Sequence, residues 1–157
     1  IVEVMGRNSG HIAVDVGVAG GAEGVFIPES PFSVEAAIEK IQSGIKAGKT
    51  SSILIAAEGQ KPGRAYDLAD AIRKKSGFEA KVCILGHIQR GGAPSAIDRI
   101  LGSRLGSQAV ESLRKGVSDV MIGIQAGQVV EMDMAQCLGQ RKALPKGVLS
   151  LVDQLSQ

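Results

Sequence analysis

Aromatic residues are scarce in this chain. Its 157 residues hold no tryptophan, one tyrosine (Tyr66) and three phenylalanines (Phe26, Phe32, Phe78). So few rings exclude a base-stacking platform for nucleic acid. An excess of one charge is missing too. Eighteen Lys and Arg stand against sixteen Asp and Glu, a net charge of +2, which is too even for a phosphate-tracking face. The two cysteines, Cys83 and Cys137, show no CxxC or Cys/His spacing, which excludes a zinc knuckle. They read as buried, reduced thiols in a cytoplasmic protein. No apolar run reaches the ~18 residues of a membrane span. No GxxxxGK[ST] loop occurs, which excludes a Walker nucleotide site.

What is present is aliphatic. Hydrophobic residues make up 44% of the chain, and with so few rings the core falls to Ile, Val, Leu and Ala, as in buried parallel strands. Ile1–Val4 reads as a strand already under way, with no initiator methionine, as if an N-terminal portion preceded it. A helix is expected over His11–Ala19, stopped by Gly20-Gly21, and a short strand follows in "GVFIPE". Ser33 caps the periodic run Val34, Ala37, Ile38, Ile41, Ile45. "SSILIAAEG" is a strand ending on Glu58, Tyr66–Lys75 a helix, and "EAKVCILG" a further strand. Ser95 caps a long helix to about Lys115. "DVMIGIQ" and "QVVEMDM" form a hairpin, and two short helical patterns close the chain. This order predicts βαβ units in an open, mostly parallel sheet: an α/β, Rossmann-like fold of three layers.

Ligands of such sheets bind beyond the carboxyl ends of the strands. Those ends carry Met5-Gly6-Arg7, Glu29, Glu58, and His87 with Arg90 in "LGHIQRGG". Arg7 reads either as a turn arginine on the surface or as an anion clamp beside a glycine that admits close approach. Glu58 reads either as a capping or ion-pair carboxylate or as a receiver of two sugar hydroxyls. His87 and Arg90, followed by the free N–H groups of Gly91 and Gly92, favour a phosphate or carboxylate site.

The stretches "EVMGRNSG", "AGGAEGVFIPE", "AAEG" and "LGHIQRGGAPSAIDRILGSRLGSQAV" together resemble the 6-phosphofructokinase family over Val2 to about Gln128, in the C-terminal half of its chain. The resemblance implies transfer of the ATP γ-phosphate to the 1-hydroxyl of fructose 6-phosphate with magnesium, in a cytoplasmic homotetramer of two-lobed subunits. A pyrophosphate-dependent enzyme or a non-catalytic sugar-phosphate-binding paralogue are the alternatives. It implies that Met5 and Gly6 line the sugar pocket and that Arg7 faces the transferring phosphoryl group. Glu58 would hold sugar hydroxyls, and His87 and Arg90 the 6-phosphate. Lys81 stands where an arginine reaches a neighbouring subunit's 6-phosphate. Glu23 and Lys49 match effector-site residues, Glu23 as the ligand of the effector's magnesium, whereas Ala47 and Thr50 depart from the basic residues of some bacterial members.

It also implies a sugar-phosphate lobe of residues 1–86 plus about 138–157, and a segment of about 87–137 that returns to the nucleotide lobe. The family's GGDxxG and TIDxD stretches do not occur in these residues, so this chain alone is expected to lack kinase activity and to leave apolar surface uncovered.

Overall fold

A computed structural model describes residues 1–30 and 33–156, so Phe32 falls outside the described residues. The chain divides into two compact units. The first is Ile1–Arg90 with Leu144–Gln157, and the second is Gly91–Ala143.

The first unit is built on four parallel strands: β1 (Val2–Val4), β2 (Gly24–Phe26), β3 (Leu54–Ala57) and β4 (Cys83–Ile84), in the order β2-β3-β1-β4. Alternation along the strands feeds two cores, since successive side chains point to opposite faces. Ile55 and Ala57 join Val4, Val25, Ala13 and Val14 on the face that carries α1 (His11–Ala19) and α6 (Val148–Leu155), where Val152 is also buried. Leu54 and Ala56 join Phe26, Ala37, Leu68 and Ile72 on the face of α2 (Val34–Lys46) and α3 (Arg64–Ser76). The result is the three-layer α/β arrangement that the periodicity implies.

Helix α2 is capped by the Ser33 hydroxyl, which accepts from the Ala36 N–H at 3.0 Å. Helix α3 begins two residues earlier than its pattern suggests, after Gly63 in the left-handed region (φ 92°), and has no local side-chain cap. Its cap comes from the sheet. Glu3, 2% exposed in the middle of β1, accepts from the Gly63 N–H and the Ala65 N–H, both at 2.8 Å. A buried carboxylate is tolerable there because it meets orphan donors at the positive end of a helix.

Two readings are corrected. The strand expected over "EAKVCILG" shrinks to Cys83–Ile84, and Cys83 is exposed rather than buried. Among the described residues β4 is an edge strand of this sheet. The last two strands, β5 (Val120–Gln125) and β6 (Gln128–Asp133), do not extend the parallel sheet. They pair antiparallel as a separate sheet in the second unit.

That unit also holds α4 (Ala96–Arg114) and the short α5 (Met134–Leu138). Ser95 and Asp98 close a reciprocal capping box on α4, and the Ser95 hydroxyl and N–H hold the Asp98 carboxyl below its ordinary range. Ser112 is this unit's one buried residue. Ile97, Ile100 and Leu113 are exposed, at 77%, 62% and 72%.

Replacing Glu3 by Leu leaves two helix-terminal N–H groups without an acceptor. The expected loss of stability is about 2–4 kcal/mol in urea denaturation. Glu3→Gln, which keeps one acceptor oxygen, falls between Leu and wild type. Equal stability of the Leu variant and wild type would remove this cap from the account.

Candidate functional site

The sheet order determines where a ligand fits. α1 leaves β1 toward one face, while α3 leaves β3 toward the other, and β1 and β3 are neighbours. A crevice opens where helices depart on opposite faces, beyond the carboxyl ends of the strands. The residues after β1 and β3 border it: Met5, Gly6 and Arg7 on one side, Glu58 on the other. β4 lies next to β1 on its far side, which brings the loop carrying His87 and Arg90 to the same end of the sheet.

Backbone bonds tie this crest together. Glu58 N–H donates to the Val4 carbonyl at 2.9 Å, and Gly59 N–H to the Gly6 carbonyl at 3.1 Å, so the β1–β3 ladder continues past both strands. Gly6 has φ 151°, and a Cβ there would sit 2.5 Å from the Ser9 carbonyl oxygen and 3.3 Å from Ala57 Cβ. The turn therefore requires glycine for conformation and for space.

The side chains divide into two groups. Glu29, after β2, turns inward and both its oxygens accept from the Gly10 N–H, at 2.8 and 2.9 Å; it caps α1. Glu58, His87 and Arg90 make no hydrogen bond or ion pair through their side chains among the described residues, and His87 and Arg90 are exposed. Arg7 spends one donor. Its Nε reaches Gln60 Oε1 at 3.4 Å, and Gln60 Nε2 donates to Asn8 Oδ1 at 2.6 Å. The terminal nitrogens of the guanidinium fork remain available to a ligand. Among the described residues no fully buried side-chain nitrogen or oxygen lacks a partner. An arginine, a glutamate, a histidine and a second arginine thus gather at one end of the sheet with little internal demand on them. Such a set can neutralise a phosphate and accept hydroxyl protons.

Lys81 is not part of this gathering. Its carbonyl accepts from the Ile1 amino group at 2.7 Å, at the amino end of the sheet. It lines a recess of about 600 Å³ with Ile1, Ile45, Thr50, Leu54 and Phe78.

Glu23 and Lys49 meet each other away from the crest. Glu23 is 5% exposed, and its carboxylate accepts from the Ile53 N–H at 2.5 Å and lies 3.7 Å from Lys49 Nζ. Lys49 also donates to the Ser156 carbonyl at 2.7 Å. Lys40 donates to the Glu23 carbonyl at 2.9 Å and pairs with Asp153 at 2.5 Å. Two lysines therefore hold the end of α6 against the edge of β2. Among the described residues no three His, Cys, Asp or Glu side chains gather to hold a metal ion.

Sequence reasoning passed over Glu3, Gln60 and Gln89. Glu3 carried a signal, a carboxylate inside an apolar strand. The two glutamines carried none, because their partners lie 53 and 84 positions away.

Gly6→Ala is expected to cost about 2–4 kcal/mol, since both φ and a backbone oxygen oppose a side chain. Gly21→Ala, at φ 61° with open space around it, costs about 1 kcal/mol. Urea denaturation of the two variants measures the difference, and equal losses would show that the Gly6 turn relaxes freely.

Comparison with known proteins agrees with this architecture. A family model for phosphofructokinase matches residues 1–113. The chain is 47% identical over 155 residues to ATP-dependent 6-phosphofructokinase 1 of Thermus thermophilus, covering 99% of this chain and 48% of that protein. It is 44% identical to the ATP-dependent 6-phosphofructokinase of Brevibacillus brevis, with the same coverage. The chain thus spans about half the length of these curated relatives. Among solved structures, phosphofructokinase from Saccharomyces cerevisiae superposes with a TM-score of 0.80 at 28% identity, over 99% of this chain and 22% of that one. The pyrophosphate-dependent phosphofructokinase from Marinobacter aquaeolei gives 0.76 at 28% identity, over 92% and 41%. With its parallel sheet, its crest of unpaired charges and a match over most of its length, the chain belongs to the phosphofructokinase family.

Proposed function

We propose that this chain supplies the fructose 6-phosphate site of an enzyme that transfers a phosphoryl group to the sugar's 1-hydroxyl, giving fructose 1,6-bisphosphate. One observation carries the reading: Arg7, Glu58, His87 and Arg90 lie at one end of the sheet, in the loops after β1, β3 and β4, with few or no side-chain partners among the described residues. His87 and Arg90 bind the 6-phosphate, the arginine through its planar fork. Glu58 accepts from sugar hydroxyls, and Met5 and Gly6 form the wall beneath the ring. Arg7 faces the transferring phosphoryl group and stabilises the charge that develops on it.

ATP is the donor in this reading, as the names of the curated relatives support. Magnesium accompanies the nucleotide and neutralises phosphate charge, but its ligands are to come from outside these residues. Residues 1–86 with about 138–157 belong to the sugar-phosphate lobe and about 87–137 to a segment returning to the nucleotide lobe, in a cytoplasmic tetramer. Lys81, at the far end of the sheet, serves a neighbouring subunit's phosphate. Glu23 and Lys49 serve an effector, with Glu23 toward the effector's magnesium.

Calorimetry with fructose 6-phosphate is expected to show binding to this chain, weakened about tenfold to a hundredfold by Arg90→Ala. The chain alone is expected to give no fructose 1,6-bisphosphate from ATP in an aldolase-coupled assay. In an active assembly containing it, Arg90→Ala mainly raises KM for the sugar phosphate and Arg7→Ala mainly lowers kcat. The reverse split would contradict the assigned roles. Binding without turnover in every assembly would favour a non-catalytic paralogue.

A further inference from the structure

We infer that Gln89 is a positioning residue that sets the His87–Arg90 loop in register with the Met5-Gly6-Arg7 turn. The inference rests on the sugar-phosphate reading of that loop and adds a residue to it.

The backbone of β1 alternates. The Val4 and Gly6 carbonyls accept from β3-side donors, Glu58 and Gly59, whereas the Ile1 and Glu3 carbonyls accept from β4-side donors, Cys83 at 2.9 Å and Leu85 at 3.1 Å. With a period of two, the Met5 N–H faces the β4 side. A continuing parallel strand would offer it a carbonyl. The chain instead leaves the sheet at Gly86 (φ 55°) and winds into a single 3₁₀ turn over Gly86–Gln89. Gln89 restores the missing bond. Its side-chain Oε1 accepts from the Met5 N–H at 2.8 Å, in a partly buried position.

The turn geometry gives this bond its consequence. His87 lies within the turn, and Arg90, in extended conformation, follows it three positions on, about one 3₁₀ turn away, with Gln89 between them. The Arg90 N–H closes the turn on the His87 carbonyl at 3.0 Å. The turn is thus one small body that carries His87, leads directly into Arg90 and holds the Gln89 anchor between them. The anchor is bonded to the residue next to Gly6 and two before Arg7. Binding one ligand across both loops depends on their relative placement, and displacement by about 1 Å is costly at such sites.

The test uses the full 157-residue chain with fructose 6-phosphate as probe, in wild type, Gln89→Leu, Gln89→Glu and Arg90→Ala. Thermal melting checks that each variant folds. Gln89→Leu, which has no acceptor, is expected to weaken binding about fivefold to tenfold. In the Arg90→Ala background the same change is expected to cost less than about twofold, because its effect passes through the loop. A merely structural role would not give that non-additivity. Hydrogen exchange of the Met5 amide is expected to accelerate in Gln89→Leu and to recover in Gln89→Glu, which keeps an acceptor. Wild-type affinity in Gln89→Leu, or a full loss in both backgrounds, overturns the inference and leaves the sugar-phosphate reading standing. If wild type itself does not bind fructose 6-phosphate, that reading fails. The anchor is then decided by Met5 exchange alone: acceleration with recovery supports it, and an unchanged rate overturns it.

Discussion

Strand β1 is three residues long and hydrogen-bonded on both sides, and the rest of the first unit depends on it. Alternation of its backbone groups sends one set of bonds to β3 and the other to β4. Alternation of its side chains sends Val4 into one core and the Glu3 carboxylate to the start of α3. Since the same alternation continues past its end, Gly6 bonds to the β3 loop and Met5 to the β4 loop. The crest is therefore an extension of the sheet's ladder, with its loops held by the bonds that hold the strands.

This accounts for the division of labour among charged groups. Glu3 and Glu29 are committed to helix amino termini, where orphan N–H groups stabilise carboxylates. Lys40 and Lys49 are committed to the end of α6. Arg7, Glu58, His87 and Arg90 have little or no such commitment. These four stand at one end of the sheet and make no ion pair among the described residues, which leaves them open to a ligand from outside. The match to phosphofructokinases and the position of these groups support the phosphate chemistry proposed above.

Much of this was legible in the residues. The Gly20-Gly21 pair marked the end of α1, and Ser33 and Ser95 marked the caps of α2 and α4. The strand-end rule selected the crest residues before any contact was known. Three points were not legible. Cys83 sits in an apolar run that reads as interior, yet among the described residues β4 is an edge of the sheet; the run's hydrophobicity cannot reveal that. The β5–β6 hairpin has the pattern of sheet strands, and pattern does not say which sheet. Lys81 belongs by sequence to the strand leading to His87, but lies at the opposite end of the sheet from it.

The sequence by itself determined the local elements and the list of candidate groups, because helix caps, glycine turns and apolar periodicity act over a few residues. Tertiary structure alone decided which carboxylates cap helices and which face a ligand. It also decided that Gln89, a neutral residue between the conspicuous His87 and Arg90, joins their loop to β1. Those outcomes depend on strand order and register, and register pairs residues some 50 to 85 positions apart whose identities carry no local mark of each other.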